Sequence, residues 1–199
     1  MALDPNSRLY RNNLIHTYLL VGELDRAEEE LEIQASLHPG ANLAYDYAAL
    51  RLLQDRPGDS LAHVENVEQV EDRYALRVMA LYALGRSREA DAELGRLQAL
   101  DGPNALVRYT EVQHFLGAGG AIDATIDRIR ERWRDEPELY GRVESAVEVL
   151  AFSPFIDAGH RGSLSARMQK VYVDPVSQPI VSGTRPIPEP GTDTAGRDL

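Results

Sequence analysis

The stretch Asn13-Leu14-Ile15-His16-Thr17-Tyr18-Leu19-Leu20-Val21-Gly22-Glu23-Leu24-Asp25-Arg26-Ala27-Glu28-Glu29-Glu30-Leu31, closed by Pro39, leaves the chain few ways to fold. It reads as one helix, a tight turn at Gly22, and a second helix laid back against the first. Gly22 lets the chain turn with no Cβ in the way, Tyr18 is a bulky wedge, and Ala27 lets the second helix come close. Pro39 ends the unit, because the residue before a proline is steered out of the helical region.

The unit recurs. Small residues expected to open each second helix are Ala27, Ala62, Ala90 and Ala124, at intervals of 35, 28 and 34 residues. The third unit is nearly as clear as the first: Tyr74 to Leu84 is apolar all round, Gly85 to Glu89 turns, and Ala90 to Leu94 with Leu97 returns. The second unit is degenerate, with a helix from Asn42 to Gln54, a turn from Asp55 to Asp59, and Ser60 as N-cap of a helix that must end early. The fourth runs from about Asn104 to Arg134, turns at Gly117 to Gly120 and points Ala124, Ile126 and Ile129 inward. After Pro137, Glu138 to Phe152 has the spacing of a capping helix, and Leu164 to Val171 is a last short one.

This pattern resembles the tetratricopeptide (TPR) repeat, whose period is about 34 residues. Together with Ser153-Pro-Phe-Ile156 and Gly162 to Val171, the third unit is similar to the C-terminal TPR region of many bacterial regulatory proteins. The resemblance implies an all-α, right-handed α-solenoid of about four helix hairpins over residues 1–171. It also implies a non-catalytic, cytoplasmic interaction scaffold or adaptor that takes a protein or peptide in its groove. The alternative it leaves open is a regulatory or oligomerisation arm of a larger bacterial signalling enzyme or transcription regulator. Ala2 to Asn6 looks like the end of a preceding repeat, which fits a longer natural chain. Residues 172–199 are rich in Pro and Gly and hold too little apolar material to bury, so a flexible, disordered tail is expected. Within it, Arg185 to Pro190 has polyproline II character.

Composition narrows the function. A formal charge of −11 disfavours nucleic acid, because affinity for phosphate comes chiefly from Lys and Arg. Of the twenty-one basic residues only Lys170 is a lysine, a bias that fits genomic base composition. Without cysteine there are no disulfides, thiolate zinc sites or cysteine nucleophiles. No signal peptide is visible and no apolar run approaches membrane-spanning length.

His16, His38, His63, His114 and His160 have no metal-ligand spacing and read as surface or groove residues. Gly117 to Gly120 lacks the Lys-Ser or Lys-Thr of a phosphate loop. Glu28, Glu29, Glu30, Glu32, Glu65, Glu68, Glu71 and Asp72 read as solvated helix faces, and Arg128, Arg130, Arg132 and Arg134 form no single stripe. Neither catalytic residues nor a cofactor or metal is therefore expected.

In stacked hairpins the first helix of each pair lines the inner surface. The helical period then nominates Asn12, His16 and Leu19 on the first such helix, Tyr47 and Arg51 on the second, Met79 and Tyr82 on the third, and Tyr109 and Gln113 on the fourth. Tyr and Arg concentrate binding energy, and Met adapts to irregular apolar surfaces. The Lys and Asn clamp that some TPR domains use on a C-terminal carboxylate is not matched, since the first helix offers Asn12 and His16. The negative charge suits a neutral or basic partner, whereas a dimerising arm, the homo-oligomer alternative, is expected to expose an apolar patch on an end helix, for instance around Leu139 to Phe152.

Overall fold

A computed structural model describes residues 7–117, 131, 150, 153–157 and 159. Seven helices build this part, and among the described residues there is no strand, so the architecture is all-α. They are α1 (Arg8–Val21), α2 (Leu24–Leu37), α3 (Ala44–Leu53), α4 (Pro57–Val64), α5 (Val70–Ala83), α6 (Ser87–Ala99) and α7 (Pro103–Phe115). Helices α1/α2, α3/α4 and α5/α6 pair as hairpins, and α7 packs on α5 and α6. The odd-numbered helices also touch in series, α1 with α3, α3 with α5, and α5 with α7.

One turn joins every hairpin. The left-handed residues that follow α1, α3, α5 and α7, namely Gly22 (φ 78°), Asp55 (57°), Gly85 (72°) and Gly117 (86°), are 33, 30 and 32 residues apart. In the first turn the Gly22 N–H donates to the Leu19 carbonyl and the Glu23 N–H to the Tyr18 carbonyl. The same two bonds recur from Asp55 and Arg56 to Leu52 and Arg51, and from Gly85 and Arg86 to Tyr82 and Leu81. This is the left-handed closure that satisfies the last carbonyls of a helix while reversing the chain. Among the described residues Asp55 is the single non-glycine at positive φ, and Asp tolerates that region better than most side chains.

Five residues beyond Gly22, Asp55 and Gly85, at the fourth position of the returning helix, stand Ala27, Ser60 and Ala90, all fully buried. The second of these corrects the sequence reading, which gave the role to Ala62. Ala62 is exposed. The sequence also placed Ser60 as an N-cap, but α4 starts three residues earlier, at Pro57. Proline is favoured at the first helical position, where its missing N–H would have had no partner anyway. Ser60 thereby moves inside the helix, and its hydroxyl donates to the Ala48 carbonyl of α3 at 2.8 Å.

Two apolar clusters meet in the middle. Ile15, Leu19, Ala27, Leu31, Leu43 and Leu50 form the first, with Leu24 and Leu53 at its edge. The second gathers Ala48, Leu52, Val64, Leu76, Val78, Met79, Leu97 and Val112, with Leu53 again at its edge. Phe155 joins the second cluster, meeting Phe115 edge-on at 6.2 Å between ring centroids. The returning helix of the fourth unit with Ala124, Ile126 and Ile129, the capping helix Glu138 to Phe152 apart from the buried Leu150, the short helix Leu164 to Val171 and the tail 172–199 lie outside the described residues.

Overpacking tests the hairpin register. Ala27→Leu or Ala90→Leu should lower the free energy of unfolding by roughly 1–3 kcal/mol, since neither site has room for more methylenes. Ala62→Leu, on an exposed face, should stay within about 0.5 kcal/mol of wild type in the same denaturant melts.

Candidate functional site

A polar seam crosses the odd-numbered helices. At its centre is Arg108 of α7, whose side chain is only 14% exposed. Its Nε donates to Asp72 Oδ1 of α5 at 2.5 Å, and its Nη1 to Glu111 Oε2 at 2.7 Å. The same Nη1 lies 3.4 Å from the Tyr45 hydroxyl of α3, and the guanidinium sits 5.3 Å from the Tyr45 ring centroid. Asp72 of the neighbouring α5 and Glu111 of α7 itself thus hold the planar group while the Tyr45 ring lies against its face. The second pair in the seam is His16 of α1 with Asp46 of α3, Nε2 to Oδ1 at 3.0 Å.

The charges in this seam tune one another. Burial works against the Arg108 charge, but Glu111, Tyr45 and Asp72 outweigh it and hold the guanidinium protonated well above its ordinary range. Burial also pushes the Tyr45 phenol up, so it stays neutral. Asp46, by hydrogen bond, raises the His16 pKa, while burial and the more distant Arg108 oppose it. Glu111 is buried, and its second oxygen, Oε1, has no hydrogen-bond partner. Three carboxylates therefore face one permanent cation and one histidine.

The residues nominated from sequence scatter. Leu19 and Met79 are 3% and 1% exposed and belong to the apolar clusters, so they are core residues and not surface contacts. Met79 is buried because α5 is packed by α3, α4, α6 and α7 together. Asn12 accepts a hydrogen bond from the buried Gln34 of α2. Arg51 turns to Glu28 of α2 at 2.7 Å, and the Tyr82 hydroxyl pairs with Asp91 of α6. Tyr47 stacks on His63 of α4 at 5.1 Å, and Tyr109 packs at the edge of the second cluster. Gln113 is half-buried. Of the nine, only His16 enters the seam.

Several carboxylates read as solvated are instead engaged. Asp72 holds Arg108, Glu30 meets Arg11 of α1 at 2.5 Å, and Glu28 takes both Arg51 and Gln54. Arg77 of α5 links Glu65 after α4 to Glu93 of α6. Sequence reasoning missed Tyr45, Asp46, Asp72, Arg108 and Glu111 as a group. The available signal was Asp46, an acid in the otherwise apolar Ala44 to Leu50, and the Arg108 and Glu111 pair one turn apart.

Among the described residues no group of three or more His, Asp or Glu side chains is arranged to hold a metal ion. None of the described helices is long and apolar enough to cross a membrane. No protein-family model matches the chain, and no curated protein or solved structure matches it either.

Two measurements test the seam. Arg108→Met leaves Asp72 and Glu111 as uncompensated charges and should cost about 3–5 kcal/mol in a denaturant melt. Arg86→Met, which frees only an exposed partner, Glu89, should cost about 1 kcal/mol or less. The His16 pair adds a pH dependence. A pKa raised by folding makes a contribution that is complete below the unfolded-state value of about 6.5 and is lost as pH rises through the folded value. Stability should therefore fall as pH rises beyond the unfolded-state value of about 6.5, relative to a His16→Gln variant, whose melts lack that component.

Proposed function

We propose that the chain is a tetratricopeptide-like, right-handed helical solenoid serving as a cytoplasmic protein–protein interaction scaffold. Its partner is a protein or peptide, with no role for nucleic acid or a membrane surface. The observation that carries this reading is the hairpin repeated in register: the same left-handed turn at Gly22, Asp55 and Gly85, and the same buried small residue five positions later. Repetition of one supersecondary unit, with the first helices of successive units in contact, is how solenoids generate an extended surface. Such a surface recognises partners by area and shape and needs no reactive group.

The anionic balance of the chain favours a neutral or basic partner. His16, Tyr47 and Gln113 keep part of their side chains at the surface and remain the candidates for contact from the original set. Affinity capture from lysate of the source cells tests the reading, comparing wild type with a His16→Ala, Tyr47→Ala, Gln113→Ala variant at a temperature below the melting transition of both. A specific partner lost from the variant is the expected outcome. A partner held equally by both moves the contact surface elsewhere, and failure to retain any specific partner contradicts the scaffold reading.

A further inference from the structure

Exposed apolar surface is unevenly spread over the described helices. Of the seven large apolar side chains exposed among the described residues, five lie on the first hairpin: Leu9, Tyr10, Val21, Ile33 and Leu37. The other two, Leu84 and Leu116, stand singly just past α5 and α7. Four of the five share one face. Helix α3 holds the opposite side of the hairpin, through His16 to Asp46 and Glu28 to Arg51. About half a turn round each helix from those contacts lie Tyr10, Leu14, Tyr18 and Val21 of α1, with Ile33 and Leu37 of α2. Leu14 and Tyr18 are half-buried, and the other four are 37–60% exposed. The pair Arg11 with Glu30 and the guanidinium of Arg26 over the Tyr18 ring span the two helices here, so both present one continuous surface.

Charge says what fits it. Helix α1 carries Arg8 and Arg11 and no carboxylate. Helix α2 carries Asp25, Glu28, Glu29, Glu30 and Glu32 against Arg26 alone, and Arg26 is already held by Glu23. The hairpin is therefore positive along one helix and negative along the other, which makes it complementary to itself. A second copy, turned about an axis parallel to the helices, lays its α1 over this α2 and its α2 over this α1. Opposite charges then face each other twice, and each crossing pair runs antiparallel with its helix dipoles head to tail. Because α1 begins beside the end of α2, Tyr10 and Leu14 of one copy come level with Leu37 and Ile33 of the other. The arrangement of α1 on α1 and α2 on α2 sets five carboxylates against five and is disfavoured by repulsion. A chain of formal charge −11 needs such local matching to meet its own copy.

We propose that this face joins two copies of the chain in a two-fold dimer, their first hairpins forming an antiparallel four-helix bundle. The apolar stripe supplies its centre, and Arg11 and Glu30 of each copy alternate in sign across it. Such a dimer goes beyond the scaffold reading and does not rest on it.

Sedimentation equilibrium of the full chain over a range of concentrations is the first test. The expected mass rises to twice 22.1 kDa. Ile33→Lys combined with Leu37→Lys, both at exposed positions, should keep the wild-type helical circular dichroism and raise the dimer dissociation constant about tenfold or more. Leu84→Lys, exposed away from this face, should dimerise like wild type. The absence of cysteine lets single thiols report the crossing. Tyr10→Cys and Leu37→Cys chains, mixed and treated with a short bismaleimide, should crosslink to each other in preference to themselves. A wild-type monomer at every concentration, or an Ile33 and Leu37 variant that dimerises as well as wild type, overturns the interface. Preferential crosslinking between identical sites overturns the crossing of α1 over α2.

Discussion

Everything in this fold depends on how closely two consecutive helices can approach. A turn of two or three residues forces them into contact near its own level, and only a small side chain fits at that point. Ala27, Ser60 and Ala90 supply it, each at the fourth residue of the returning helix. The left-handed residue sets the angle of return and the small residue sets the distance. Once both are fixed, the remaining contacts within a hairpin follow from helix geometry. The second hairpin shows that they are sufficient, since α4 has only eight residues and still lies correctly against α3.

Much of this was legible in the sequence, because turn chemistry and helix contacts are local. Gly22, Gly85 and Gly117 announced their turns, and Ala27 and Ala90 their crossings. Ser60 was misread because serine has two local roles and the helix-starting effect of Pro57 was given to it instead. Asp46, Asp72 and Arg108 were legible only as charges. What makes them a group is the stacking of α3, α5 and α7, and Arg108 finds its partners 36 and 63 residues away in the chain. No periodicity within a single helix records such a distance. Leu19 and Met79 failed as groove residues for the related reason that the inner face of a helix and the face against its neighbour differ by less than one turn.

The polar seam turns its charges toward neighbouring side chains. The charges of Arg108 and His16 are engaged internally, Arg108 by Asp72 of α5 and Glu111 of its own helix, and His16 by Asp46 of α3. Such pairs add little net stability over well-packed apolar groups, but a mispaired arrangement is costly, so they discriminate against wrong helix alignments.

Arg108 has one more consequence. In an array of repeats each unit ordinarily answers only to its immediate neighbours, and the ends can peel away one hairpin at a time. The reach of Arg108 from α7 across to Tyr45 on α3 skips a unit. Fraying from that side must break a contact belonging to the second hairpin before the third has begun to open. That contact couples α7 to the second hairpin beyond the nearest neighbour, which favours melting as a block over unzipping.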